Sequence, residues 1–177
     1  MRKLKMDELN RVSVAEFKQL PKIPVVLVLD NVRSLHNVGS TFRTADAFRV
    51  DKIYLGGITG TPPNKEINKT ALGATESVTW EHAPDTLALV QSLKEAGYIL
   101  IALEQAAGST LLQEFTPDPE QPYAFIFGNE VFGVAEEIMA IADTVLEIPQ
   151  FGTKHSLNIS VTVGVVVWDY LAKTELK

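Results

Sequence analysis

The sequence predicts an α/β fold, a parallel sheet flanked by helices, from three observations. Strand-like and helix-like stretches alternate along the whole chain, the pattern of strands joined by helical crossovers. The strand-like stretches are almost wholly apolar, as in Pro24 to Asp30 and Tyr98 to Leu103, which suits strands covered on both faces. Glycine, asparagine and proline gather directly after several of them, at the carboxyl edge where such sheets bind ligands.

Met1 to Pro24 is an accessory N-terminal segment carrying six Lys and Arg residues. Ser13 followed by Glu16 has capping-box spacing for a short helix, which Pro21 and Pro24 close. The remainder, residues 25–177, reads as one domain. Pro24 to Asp30 is the first buried strand, and Asn37 to Ser40 is placed at a strand-to-helix turn ahead of a helix from Thr41 to Phe48. Backbone N–H groups at such turns bind anions.

Lys52 to Leu55 is the second strand, running into Gly56 to Gly60 and the Pro62-Pro63 pair. That loop lacks the G-x-G-x-x-G of a dinucleotide site and reads as a rigid surface turn. Strands follow at Ser77 to Glu81, Tyr98 to Leu103, Tyr123 to Phe127 and Thr144 to Ile148, with helices at Asp85 to Ala96 and Ala135 to Ala142. The closing stretch from Ser156 to Lys173 supports two readings. Polar and apolar residues alternate from Leu157 to Val163 as in a strand, yet Leu157, Val161, Val165, Trp168 and Ala172 share one helical face, and the length favours a helix.

With 177 residues, 46% of them hydrophobic, the chain can bury a sizeable core. It has no cysteine, which removes disulfides, thiolate catalysis and thiolate metal sites, and His36, His82 and His155 lack metal-ligand spacing. No metal is expected. No apolar run, neither Tyr98 to Leu103 nor Val165 to Trp168, approaches the roughly 20 residues of a membrane span, and no signal peptide is visible, so a cytoplasmic protein is expected. The net charge of −6 conceals an asymmetry: residues 1–69 hold 12 Lys and Arg against 7 Asp and Glu, whereas residues 70–177 hold 4 against 15. A polyanion could dock on the first half.

Three strand ends couple a glycine to polar side chains: Asn37-Val-Gly-Ser-Thr-Phe-Arg43, Phe127-Gly-Asn-Glu-Val-Phe-Gly133, and Ile148-Pro-Gln-Phe-Gly152 leading to Ser156-Leu-Asn-Ile-Ser160. Each has an ordinary structural explanation when taken alone: turn glycines, an exposed carboxylate, helix-capping groups. Together, in this order and spacing, they resemble the three motifs of the SpoU/TrmH RNA ribose 2′-O-methyltransferases over roughly Pro24 to Leu171. Gln150 stands where that family usually has Met, and Thr162-Val163 where small residues are frequent.

The resemblance implies a sheet whose C-terminal segment threads a loop to make a trefoil knot, S-adenosylmethionine bound in the knot, and a homodimer. Connection rules alone disfavour a knot. It further implies Arg43 as the catalytic residue at the ribose hydroxyl, Asn37 as orienting Arg43 or the ribose, and Glu130 as orienting the cofactor or the partner subunit's arginine. Leu103, Gly128, Ile148 and Leu157 would meet adenine through their backbone, with Gln150 and Ser156 nearby, and Asn158 would fix the knot loops.

Methyl transfer to a hydroxyl needs an in-line approach and loss of a proton; orientation alone is worth about 7–11 kcal/mol in favourable cases. Arginine has a pKa above about 12, so Arg43 is either a base made unusual by its site or a cation clamping the substrate phosphate. RNA would meet the basic first half, at Arg33, Arg43, Arg49, Lys52, Lys65 and Lys69, with Lys154 and His155. The short N-terminal segment, set against the separate RNA-binding domains of relatives acting on rRNA, favours tRNA over rRNA. Two other readings are a non-catalytic RNA-binding relative of the same fold and a nucleotide-binding oxidoreductase resting on Gly56 to Gly60.

Overall fold

The computed structural model describes residues 1–9 and 11–176. Seven strands, β1 (Ile23–Asp30), β2 (Val50–Gly56), β3 (Thr79–Ala83), β4 (Ile99–Leu103), β5 (Thr110–Leu111), β6 (Tyr123–Phe127) and β7 (Thr144–Glu147), form one sheet. Every pairing in it is parallel and the order is β3-β2-β1-β6-β4-β7-β5. β1 and β6 are central, which is why Val25 to Leu29 and Tyr123 to Phe127 read as unbroken apolar runs: both faces are covered.

Side chains alternate between those faces. Val25, Leu27 and Leu29 join a core built with α1 (Val14–Gln19), α2 (Leu35–Ala47), α3 (Lys65–Ala71), α4 (Ala74–Ser77) and α7 (Ile159–Thr174). Val26 and Val28 join a second core with α5 (Thr86–Glu95) and α6 (Glu136–Ile141). The expected α1 is present and carries its capping box, with Ser13 and Glu16 bonded reciprocally and Phe17 buried.

The long closing segment is a helix, as its length favoured. Val163, Val166, Val167, Tyr170 and Leu171 are buried, at helical and not strand spacing, and full burial of the valines and the leucine contributes roughly 1.5–3 kcal/mol each. The face bearing Val161, Val165 and Trp168 points outward, leaving Trp168 53% exposed, while Leu157 lies in the loop before the helix. α7 is therefore apolar on both sides. Two strands place the pocket described below. β7 lies between β4 and β5, strands separated in the chain only by residues 104–109, and β6 lies between β1 and β4.

Several boundaries differ from expectation. α2 begins at Leu35, not Thr41: Ser34 is its N-cap, accepting from the Asn37 N–H at 3.3 Å, so Asn37 and Gly39 lie inside the helix and the turn is at Asn31 to Ser34. α7 begins at Ile159 with Asn158 as N-cap, which leaves Ser156 and Leu157 in the preceding loop. Lys65 to Ala71 forms a helix that hydrophobic spacing did not reveal, because only Ile67 and Ala71 of it are buried. β3 starts at Thr79, since Ser77 ends α4.

Candidate active site

The carboxyl ends of β4, β6 and β7 open into one cleft of about 300 Å³. Leu103 and Phe127, which end β4 and β6, and Leu146, one residue before the end of β7, line its floor, and the loops after β6 and β7 make its walls. Of the residues expected to hold the cofactor, Leu103, Gly128, Ile148, Gln150, Ser156 and Leu157 all line it, as does Glu130. Asn158 stands just outside. Its side chain caps α7, accepting from the Ser160 N–H at 2.9 Å and the Ser160 hydroxyl at 2.7 Å.

Gly128 is required by the path of its own loop. A Cβ there would fall 2.0 Å from the Gly133 carbonyl carbon and 2.1 Å from the Val134 nitrogen. The loop closes through paired backbone bonds between Asn129 and Gly133, both 2.9 Å, and the Asn129 side chain accepts from the Val131 N–H at 2.8 Å. Gly133 has φ +71°, a conformation side chains disfavour, and sits against the Glu104 carboxylate, which accepts from the Val134 N–H at 3.0 Å. Sequence reasoning missed Glu104 and Asn129; the available signal was their place one and two residues beyond the ends of β4 and β6.

The three glycine-bearing segments meet at Asn37, which is 8% exposed. Its Nδ2 donates to Glu130 Oε1 at 3.4 Å, and its Oδ1 accepts from Asn158 Nδ2 at 3.0 Å. Glu130 also accepts from the backbone N–H groups of Arg33 at 3.0 Å and Ser34 at 2.9 Å, just before α2. Burial pushes the Glu130 carboxyl up, but those N–H donors, with Asn37, outweigh it and hold the group below the ordinary carboxylate value. Asn37 is thus a bridging residue in the first turn of α2; the N-cap is Ser34.

Arg43 is elsewhere. Six residues after Asn37 it has advanced about 9 Å along α2 and turned well away from it, and it lines a separate groove between α2 and α3. Within one chain the cleft holds Glu130 but not Arg43.

The cleft mixes apolar floor residues with three carboxylates, Glu104, Glu130 and Glu147, against a single histidine, His155. Such a lining fits a ligand with a flat apolar ring system, hydroxyl groups and positive charge, which are the features of S-adenosylmethionine. Among the described residues no group of three His, Cys, Asp or Glu side chains comes together for a metal ion, and no helix is long and apolar enough to cross a membrane.

Fold and site together define a parallel α/β protein whose small-molecule cleft is built where late strands insert between earlier ones. Residues 24–168 match the model of the SpoU rRNA Methylase family, and the chain belongs to that family. It is 31% identical over 160 residues to a 23S rRNA (guanosine-2'-O-)-methyltransferase RlmB of Neisseria meningitidis, covering 90% of this chain and 63% of that protein. It is likewise 31% identical over 162 residues to a tRNA (guanosine(18)-2'-O)-methyltransferase of Thermus thermophilus, covering 92% of this chain and 81% of the relative. Among solved structures, an AdoMet-bound rRNA methyltransferase from Sinorhizobium meliloti superposes with a TM-score of 0.78 at 27% identity, over 88% of this chain and 59% of the other. The chain therefore spans less than two thirds of the length of these two rRNA-directed relatives.

Proposed function

We propose that this chain transfers a methyl group from S-adenosylmethionine to a ribose 2′-hydroxyl of RNA. The observation that carries the proposal is the bonded chain Glu130, Asn37, Asn158, which ties the three family segments together at the mouth of a cleft lined by the residues expected to hold the cofactor. Named relatives methylate guanosine 2′-O positions in tRNA and in 23S rRNA. tRNA is the substrate class proposed first, because the tRNA-directed relative is spanned over 81% of its length.

When bound, the cofactor supplies the electrophilic methyl group. Leu103, Gly128, Ile148 and Leu157 would hold its adenine, with Gln150 and Ser156 beside it, while the carboxylates favour its positive charge. Glu130 and Asn37 fix the rim by mutual hydrogen bonding and exclude alternative loop positions. Arg43 faces another groove in its own chain, so a complete site requires Arg43 of a second copy at the cleft.

A homodimer through α7 supplies that copy. Val161, Val165 and Trp168 leave an exposed apolar stripe on it, and the Trp168 ring packs with its centroid 5.9 Å from that of Phe48 at the end of α2, the helix that carries Arg43. At the hydroxyl an arginine has two chemical roles, accepting the proton or clamping the neighbouring phosphate, and its high basicity favours the clamp. A C-terminal trefoil knot belongs to the same reading. β7 inserts between β4 and β5, so the chain leaving it at Ile148 emerges beside the 104–109 connection before forming α7.

The deciding experiment incubates the full chain with methyl-labelled S-adenosylmethionine and separate tRNA and rRNA pools, then maps 2′-O-methyl nucleotides. Label in an alkali-resistant dinucleotide from tRNA is expected. Cofactor binding without label in either pool would favour the RNA-binding relative without turnover.

A further inference from the structure

Two cavities differ in character. The cofactor cleft carries three carboxylates, whereas the groove between α2 and α3, about 500 Å³, is lined by Ser40, Arg43, Thr44, Lys69 and Thr70 over Ala47 and Phe48, with no carboxylate among them. The groove exists because α2 and α3 approach unusually closely. A Cβ on Gly39 would lie 2.2 Å from the Ile67 carbonyl oxygen, and Thr70 Oγ1 donates to the His36 carbonyl at 3.0 Å, so the two helices are bonded backbone to side chain.

Ser40, Arg43 and Thr44 of α2 face Lys69 and Thr70 of α3 across the groove, and His36 and Lys65 lie one turn before Ser40 and Lys69 on the same helices. Lys69 Nζ is gripped by both oxygens of Glu66, at 2.7 and 2.9 Å, and Glu66 also takes His36 Nε2 at 3.1 Å. Glu66 is thereby held below its ordinary carboxylate value, chiefly by Lys69. Lys69 is exposed, so the pair is a surface one, weak enough for a better anion to displace.

We propose that the α2–α3 groove is the subsite for an RNA phosphodiester next to the reacting ribose, with Lys69 as its dedicated phosphate ligand and Glu66 as the competing carboxylate that occupies Lys69 until RNA arrives. The inference rests on the proposed function, since it is Arg43 at one end of the groove that links it to the reacting hydroxyl. A phosphodiester is the occupant that fits: two cations for the phosphate, wall hydroxyls from Ser40 and Thr44 for ribose oxygens, and an apolar floor for the sugar face.

The test measures RNA binding of the full chain against salt, alongside S-adenosylmethionine binding by calorimetry and methyl-transfer kinetics, for wild type, K69A, K69R and E66Q. For K69A the expectation is RNA affinity weakened roughly tenfold or more, as for a lost charge-assisted bond. Its salt slope should fall by about 0.7–0.9, one phosphate contact. Cofactor affinity should be unchanged, K69R should restore RNA binding, and E66Q should bind RNA more tightly by removing the competing carboxylate. Unchanged RNA affinity and slope in K69A would overturn the subsite, as would a change in oligomeric state that accounts for the loss. RNA binding alone decides these outcomes, so they stand even if the wild type methylates neither pool, a result that would count only against the enzymatic reading.

Discussion

The Asn158 side chain donates to the Asn37 side chain at 3.0 Å across 121 positions of sequence, joining the start of the last helix to the first turn of α2. Asn37 passes the connection on to Glu130, so the loop after β6, the turn after β1 and the loop after β7 are held as one rim. Each residue has its own duty as well, Asn158 as a helix cap and Glu130 as acceptor for two backbone N–H groups.

Replacing Asn37 and Asn158 by Ala, singly and together, should show this coupling. Each single change is expected to destabilise the chain by about 0.5–1.5 kcal/mol, the net worth of an ordinary hydrogen bond, and the double variant by less than their sum. Urea unfolding of the four proteins gives the coupling energy directly, and strict additivity would show that the contact carries none.

R43A should abolish methyl transfer while leaving calorimetric affinity for S-adenosylmethionine unchanged, because the proposed role of Arg43 is at the ribose hydroxyl and the residues lining the cleft do not include it. Mixing it with L157R, which places a charged chain in the cleft, should restore transfer if Arg43 serves the partner's site. Two inactive variants that remain inactive when mixed would place arginine and cleft in the same chain.

The Glu130 carboxyl is held below its ordinary value of 4.5, so the native state binds fewer protons there than the unfolded chain. Its contribution is complete above that ordinary value and is lost as pH falls through the depressed one. Wild-type stability should therefore decline on acidification below 4.5 more steeply than that of E130Q. Parallel pH profiles for the two proteins in urea melts would contradict this.

Trp168 is half exposed on the outer face of α7 between apolar neighbours. If α7 forms the proposed dimer, changing Trp168 to Glu places a charge in that stripe and should shift the protein to monomer in sedimentation equilibrium, with methyl transfer lost. A wild type that sediments as a monomer would remove α7 as a dimer surface.

Much of this site was legible in the sequence because its residues sit in the chain as three compact segments, two directly after strands and one in the first helix after β1. Six of the seven expected cofactor residues, carried over from the matching positions of the family's motifs, line one cleft. Asn37 was singled out for the right segment but misplaced locally: Ser34 before Leu35 is the capping signal, and the glycine at position 39 suggested a turn where it serves close helix packing. Lys65 to Ala71 escaped notice as a helix because one face of a short, mostly solvated helix offers too few apolar residues to show a period.

The chain by itself determined six of the seven strands, the two-sided burial of β1 and β4, the helical character of α7 and the family, all of which follow from local composition and short-range order. Only tertiary structure decided the rest. The insertion of β6 beside β1 and of β7 between β4 and β5 depends on contacts between residues distant in sequence, and no local period encodes which strand neighbours which. The same holds for the separation of Arg43 from the cleft. Its motif places it six residues from Asn37, but the pitch of α2 turns it into a different groove.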